Sequence, residues 1–129
     1  MHIYKKQILE QYLDFYGHVN NASYLTLFEE ARWDLVSQRG FGYDFVQKTR
    51  KGPIILEVSI KFSKELRLRE WVIIETKLLN YAGKIGEIEQ RIIKDSGVVA
   101  TSALFKFGLF DLEARRLIEL DEDWKKAFS

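Results

Sequence analysis

The hydrophobic residues of this chain change period once, and that change restricts the fold more than any other feature. Tyr24, Leu27, Phe28, Ala31 and Leu35 recur at helical spacing, with Glu29, Glu30, Arg32 and Gln38 between them. Asn20 and Asn21 stand upstream as N-cap residues, and Gly40 follows as a stop. The spacing predicts a helix from about Asn21 to Arg39, roughly 28 Å long at 1.5 Å per residue. Beyond Gly52-Pro53 the period drops to two. Leu56, Val58, Ile60 and Phe62 alternate with Glu57, Ser59, Lys61 and Ser63, which predicts a strand buried on one face. Trp71 to Leu79, Ile85 to Lys94 and Val98 to Phe110 are rich in β-branched and aromatic residues. Turn signals at Asn80-Tyr81-Ala82-Gly83 and Asp95-Ser96-Gly97 separate them, so they read as long antiparallel hairpins.

Shorter pieces flank this pattern. Ile3 to Leu13 is a strand candidate, Tyr43 to Thr49 a short helix, and Arg116 to Leu120 an edge strand. Asp121 caps a last helical turn through Trp124 and Phe128. Strand, long helix, then four or so long strands predict an α+β layer in which one antiparallel sheet curls around one helix. The 129 residues suit a single domain spanning 1–129, with no linker, repeat or block of one charge sign. One helix covers only one sheet face, and long apolar strands such as Val98 to Phe110 invite edge pairing. A homodimer or larger assembly is therefore expected.

Composition removes several classes of function. Twenty Lys and Arg against nineteen Asp and Glu give a formal charge of +1, so no global field favours nucleic acid or an anionic membrane. The absence of Cys excludes a disulfide scaffold, a cysteine nucleophile, an iron–sulfur cluster and a thiolate zinc site. No apolar run has the length of a signal peptide or a membrane span, which fits a cytoplasmic protein. Nucleotide-binding Gly-rich loops and His-Glu-x-x-His are also missing, so no cofactor and no metal are expected.

The segment that carries chemistry is Asp14-Phe15-Tyr16-Gly17-His18-Val19-Asn20-Asn21-Ala22-Ser23-Tyr24, which joins the first strand to the long helix. Asp14 places a carboxylate at the end of a strand, Gly17 permits a sharp turn, and the helix start supplies free backbone N–H groups. Such a set can attack a carbonyl or activate water while stabilising charge on the carbonyl oxygen. The same residue types also make ordinary turns and caps. His18 is a candidate general base, imidazole being the commonest. Tyr16 and Tyr24 line a pocket, orient Asp14 or simply pack; with Gly17 and His18 they are the candidates for contact with substrate.

Asp-x-x-Gly-His-Val-Asn-Asn-Ala-x-Tyr, followed by Phe28-Glu29-Glu30-Ala31-Arg32, resembles the signature of the hotdog-fold acyl-CoA thioesterases of the 4-hydroxybenzoyl-CoA thioesterase type. Gly52-Pro53-Ile54, the Glu57 to Arg69 stretch and Gln90-Arg91-Ile92 are also similar to that family, while the chain from about Asp111 is least telling. The resemblance implies a hotdog fold, a dimer or tetramer whose sheets join edge to edge, and hydrolysis of acyl-CoA or acyl-carrier-protein thioesters. Asp14 would be the catalytic carboxylate, the backbone N–H of Asn21 would polarise the thioester carbonyl, and His18 would sit in the turn, hydrogen-bonded to backbone and shaping the loop. Glu29 is the rival base, since other branches use a glutamate on the helix; otherwise it is a polar interface residue or a partner of Arg32. Coenzyme A or phosphopantetheine would arrive as part of the substrate, and Lys61, Lys64, Arg67 and Arg69 offer charges near the entrance. A non-catalytic hotdog module that binds acyl thioesters or a protein partner is the alternative.

Overall fold

The structure, a computed structural model, describes residues 1–129. In chain order it has β1 (His2–Gln7), a 3₁₀ turn at Glu10–Tyr12, α1 (Asn21–Gln38), α2 (Tyr43–Thr49), β2 (Lys51–Phe62), β3 (Trp71–Ala82), β4 (Ile85–Lys94), β5 (Val99–Asp111), β6 (Arg116–Ile118) and α3 (Glu122–Phe128). The sheet is antiparallel in the order β1-β3-β4-β5-β2, and β6 pairs with β5 beyond the end of β4. One long helix lies in the curl of one sheet, which is the hotdog arrangement.

Helix α1 forms where the periodicity placed it. Asn20 is the N-cap and accepts the Ala22 N–H at 3.1 Å, and the helix ends at Arg39 before Gly40, whose φ of +86° suits the left-handed exit. Its buried stripe is Tyr24, Leu27, Phe28, Ala31, Leu35 and Val36. That stripe meets Val72 and Ile74 of β3, Ile88 and Ile92 of β4, and Phe105 and Phe107 of β5 in one core. Burying each Leu, Ile or Phe side chain contributes about 1.5–3 kcal/mol. At one end of the sheet, Trp124 of α3, capped by Asp121, closes the core against Phe41, Phe45 and Phe128.

Three local expectations change. The first strand stops at Gln7, well before Leu13, because Ile8 exchanges backbone hydrogen bonds with Arg69 and Glu70 and the chain then bends through the 3₁₀ turn toward the helix start. The β3–β4 turn tightens onto Gly83-Lys84, with Tyr81 and Ala82 still paired to Gly86 and Ile85.

The largest difference concerns β2. The strand begins at Lys51 and contains Gly52-Pro53, which its position at the sheet edge tolerates. A bulge at Leu56 shifts its register against β5. Val58, Ile60 and Phe62 then lie opposite Phe105, Ala103 and Thr101, on the helix side of the sheet. The face is apolar as expected but only partly buried: Val58 is 37% and Phe62 49% exposed, and the bulge turns Leu56 away from it, beside Gly108 on the outer face. The helix packs nearer the β1 and β3 side, so within one chain the β2 edge is only partly covered, by Tyr24 against Phe62 at one end and by α2 at the other.

Candidate active site

The Asp14 segment folds as a closed turn. Leu13 and Val19 bridge, Asp14 N–H donates to His18 O at 2.9 Å, and Gly17 N–H donates to Asp14 O at 3.2 Å. Gly17 has φ +82°, a conformation that residues with a Cβ adopt only with strain. The Asp14 carboxylate accepts the Tyr16 N–H at 2.9 Å and the His18 N–H at 3.4 Å, both on Oδ1. Oδ2 accepts no hydrogen bond from the protein, so one oxygen shapes the turn and the other remains available.

The helix start is similarly divided. Ala22 N–H is taken by the Asn20 and Asn21 side chains, and Ser23 N–H donates to Asn20 O at 2.9 Å. Asn21 is the first residue of α1, so its N–H has no acceptor within the helix. Asp14, His18, Asn21 and Tyr24 line one groove of about 350 Å³ together with Phe62, Ser63, Lys64 and Glu65. Tyr24 forms its floor, 4% exposed and edge-on to Phe62 with ring centroids 5.0 Å apart, and burial pushes its hydroxyl pKa upward.

The His18 imidazole does not bond to backbone. Its Nε2 lies 2.6 Å from Glu65 Oε2, on the β2–β3 connection, while Glu65 Oε1 accepts from Arg67 at 2.8 Å. The Arg67 hydrogen bond, then the charges of His18, Arg67 and Lys94, hold the Glu65 carboxyl below its ordinary range. Backbone bonds run alongside: His18 bridges Arg67, and Val19 N–H donates to Leu66 O at 2.9 Å. The β2–β3 connection thus clamps the turn that carries Asp14. Glu65 was not legible as a site residue, because nothing local in the sequence joins it to His18.

Other sequence candidates fall elsewhere. Tyr16 is 84% exposed, on the outside of the turn, and neither it nor Gly17 lines the groove. Glu29 lines a separate groove with Arg32, Trp33 and Ile55, eight residues along α1 from Asn21 and so about 12 Å away. Among the four cations noted near the β2–β3 turn, Lys64 lines the Asp14 groove, Arg67 and Arg69 pair with Glu65 and Glu10, and Lys61 lies on the far face of the sheet opposite Ser102. No group of three or more His, Cys, Asp or Glu is placed to hold a metal ion, and no helix is long and apolar enough to cross a membrane.

Residues 9–128 match the family described as the thioesterase-like superfamily. Among curated relatives, the long-chain acyl-CoA thioesterase FadM of Escherichia coli is 28% identical over 116 residues, 89% of this chain and 87% of the relative. Among solved structures, YbaW of Escherichia coli superposes with a TM-score of 0.85 at 26% identity, covering 98% of this chain and 96% of that one. The DHNA-CoA thioesterase of Staphylococcus aureus has the same fold, with a TM-score of 0.87 at 23% identity, covering 98% of this chain and 87% of that one. With the family matched across nearly its whole length, and with the helix-wrapped sheet that family implies, the chain belongs to the thioesterase-like superfamily.

Proposed function

We propose that this protein hydrolyses acyl thioesters of coenzyme A, or of the phosphopantetheine arm of a carrier protein, to a free acid and a thiol. One observation carries the reading: the free Oδ2 of Asp14 and the unpartnered N–H of Asn21 belong to residues lining one groove. Asp14 acts as nucleophile or general base, while the Asn21 N–H at the positive end of α1 stabilises charge on the thioester oxygen. His18 holds the turn through Glu65 and takes no proton from substrate. Lys64 supplies a cation at the groove for the phosphates of the carrier arm. Neither metal nor cofactor takes part in the step.

The working unit in this reading is a homodimer joined along β2. That strand is an edge of the sheet, twelve residues long, and presents exposed Ile55, Leu56, Val58 and Phe62. A second copy would pair its backbone and cover its apolar side chains.

The test is thiol release from a panel of aliphatic and aromatic acyl-CoA thioesters, with Asp14→Asn beside the wild type. Release by wild type, reduced about a hundredfold or more in the variant, supports the reading. Equal rates remove Asp14 from the mechanism. No release from any coenzyme A or carrier-protein thioester leaves a non-catalytic module that binds acyl thioesters or a protein partner.

A further inference from the structure

Thr101 Oγ1 is the single buried side-chain polar atom of the chain without a hydrogen-bond partner. Native structures leave few such atoms, because an unpaired buried hydroxyl is costly. Thr101 lies on β5 opposite Phe62 of β2, on the helix side of the sheet. The Ser63 and Lys64 N–H groups both donate to Ala100 O, at 2.9 and 3.0 Å, so the chain after β2 folds against the residue before it. From α1, Tyr24 rests edge-on against Phe62, with ring centroids 5.0 Å apart, which carries its phenol to the same place. The Tyr24 hydroxyl lies beside Thr101 and the Leu66 N–H. Burial raises its pKa, Thr101 and the Leu66 N–H offset part of the rise, and the charges of Glu65 and Asp14 add to it. The hydroxyl therefore stays protonated at neutral pH and can both donate and accept a hydrogen bond.

What can complete this pair is set by the groove that Tyr24 floors. Thr101 has no exposure, whereas Tyr24, at 4%, still lines the groove that holds Asp14 and Asn21. A polar atom arriving from that groove therefore meets Tyr24 first, and acts on Thr101 only through it. In the same groove Asp14 commits Oδ1 to the turn and keeps Oδ2 free. An apolar acyl group lying on this floor would leave both hydroxyls without partners. Direct attack by Oδ2 on the thioester would make no use of either hydroxyl. A water has the donors and the acceptor that the three side chains lack.

We infer that Tyr24 and Asp14 hold the hydrolytic water between them, with Thr101 positioning the Tyr24 hydroxyl, so that Asp14 acts as general base. The inference rests on the thioesterase reading and decides between its two roles for Asp14. The water donates one hydrogen to Asp14 Oδ2 and the other to Tyr24 Oη, while Tyr24 donates to Thr101 Oγ1. Oδ2 takes the first proton as the water oxygen bonds to the thioester carbon. The carbon–sulfur bond then breaks, and the proton on Asp14 passes to the departing sulfur.

The first test is a single turnover in water labelled with heavy oxygen, with wild-type enzyme in excess over an acyl-CoA that it cleaves. The free acid is expected to carry the label. Unlabelled acid would have taken its oxygen from Asp14 and overturns the inference, whether or not any variant folds. Tyr24→Phe, confirmed folded by thermal melting, is then expected to lose about tenfold in kcat with KM unchanged, the scale of one hydrogen bond. With hydroxylamine present, its ratio of hydroxamate to free acid should rise by a similar factor, because an amine arriving from solvent does not depend on the hold of Tyr24. Thr101→Val should shift the ratio the same way, and Thr101→Ser, which keeps the hydroxyl, should reverse it. A ratio equal to wild type in Tyr24→Phe overturns the inference. If no thioester is cleaved, the thioesterase reading fails separately, and a crystal structure of the wild type decides the water site. A water within hydrogen-bond reach of both Tyr24 Oη and Asp14 Oδ2 supports it, and none there overturns it.

Discussion

The imidazole of His18 lies 2.6 Å from the carboxylate of Glu65, so a side-chain bond joins the turn that carries Asp14 to a connection more than forty residues later in the chain. His18 N–H also donates to Asp14 Oδ1, which makes the Glu65 contact a support for the orientation of the carboxylate. Glu65→Ala is therefore expected to leave the core intact and loosen the turn. Hydrogen exchange of the amides from Asp14 to Val19 should accelerate while those of β3 to β5 do not; unchanged exchange in the turn would show that its backbone bonds suffice.

The same pair sets a direction with pH. The folded-state pKa of Glu65 is depressed, so its stabilising contribution is fully present above the pKa of a free glutamate and is lost as pH falls through the lower folded value. Carboxyl NMR of Glu65 should give a midpoint below that of an unstructured glutamate. Arg67→Ala, which removes the largest cause, should move the midpoint up.

Asn21→Pro isolates the candidate carbonyl donor. Proline is favoured at the first position of a helix and lacks the N–H in question, the Ala22 N–H keeps the Asn20 side chain as acceptor when that of Asn21 is lost, and Asn20, at φ −65° and ψ 142°, already has the conformation a following proline requires. Thermal stability should stay close to wild type while kcat falls by roughly a hundred- to a thousandfold, the scale for one lost oxyanion donor. Asn21→Ala, which keeps the N–H, should retain most activity. Similar rates for Asn21→Pro and wild type would exclude this N–H.

The exposed β2 face yields a prediction about assembly. Val58 is 37% exposed on the edge strand, and a lysine there puts a charge where a second copy would cover it. Light scattering after size exclusion should give a dimer for the wild type and a monomer for Val58→Lys. A monomeric wild type would contradict pairing along β2.

Leu27 is fully buried between α1 and the sheet. Leu27→Ala should destabilise the protein by about 2–5 kcal/mol, read from urea unfolding. A loss under 1 kcal/mol would mean that α1 contributes less to the core than its packing implies.

What the sequence determined by itself is whatever depends on neighbours along the chain. Helical spacing from Tyr24 to Leu35, the caps at Asn20 and Asp121, the stop at Gly40, the antiparallel hairpins and the turn at Asp14 all follow from residues within a few positions of one another. That is the range over which periodicity and turn chemistry act. The tertiary structure decided what depends on distant partners. Alternation along β2 marked Val58, Ile60 and Phe62 as apolar, but whether α1 covers them depends on where the helix crosses the sheet. The bulge at Leu56 and the early end of β1 arise from pairing with β5 and with the Arg69-Glu70 segment. Glu65 beside His18, and Arg32 beneath Phe105 with Gln90 as its only partner, join residues far apart in sequence. Composition fixes how many charges the chain carries; which of them lose their water, and what they then face, is set by packing.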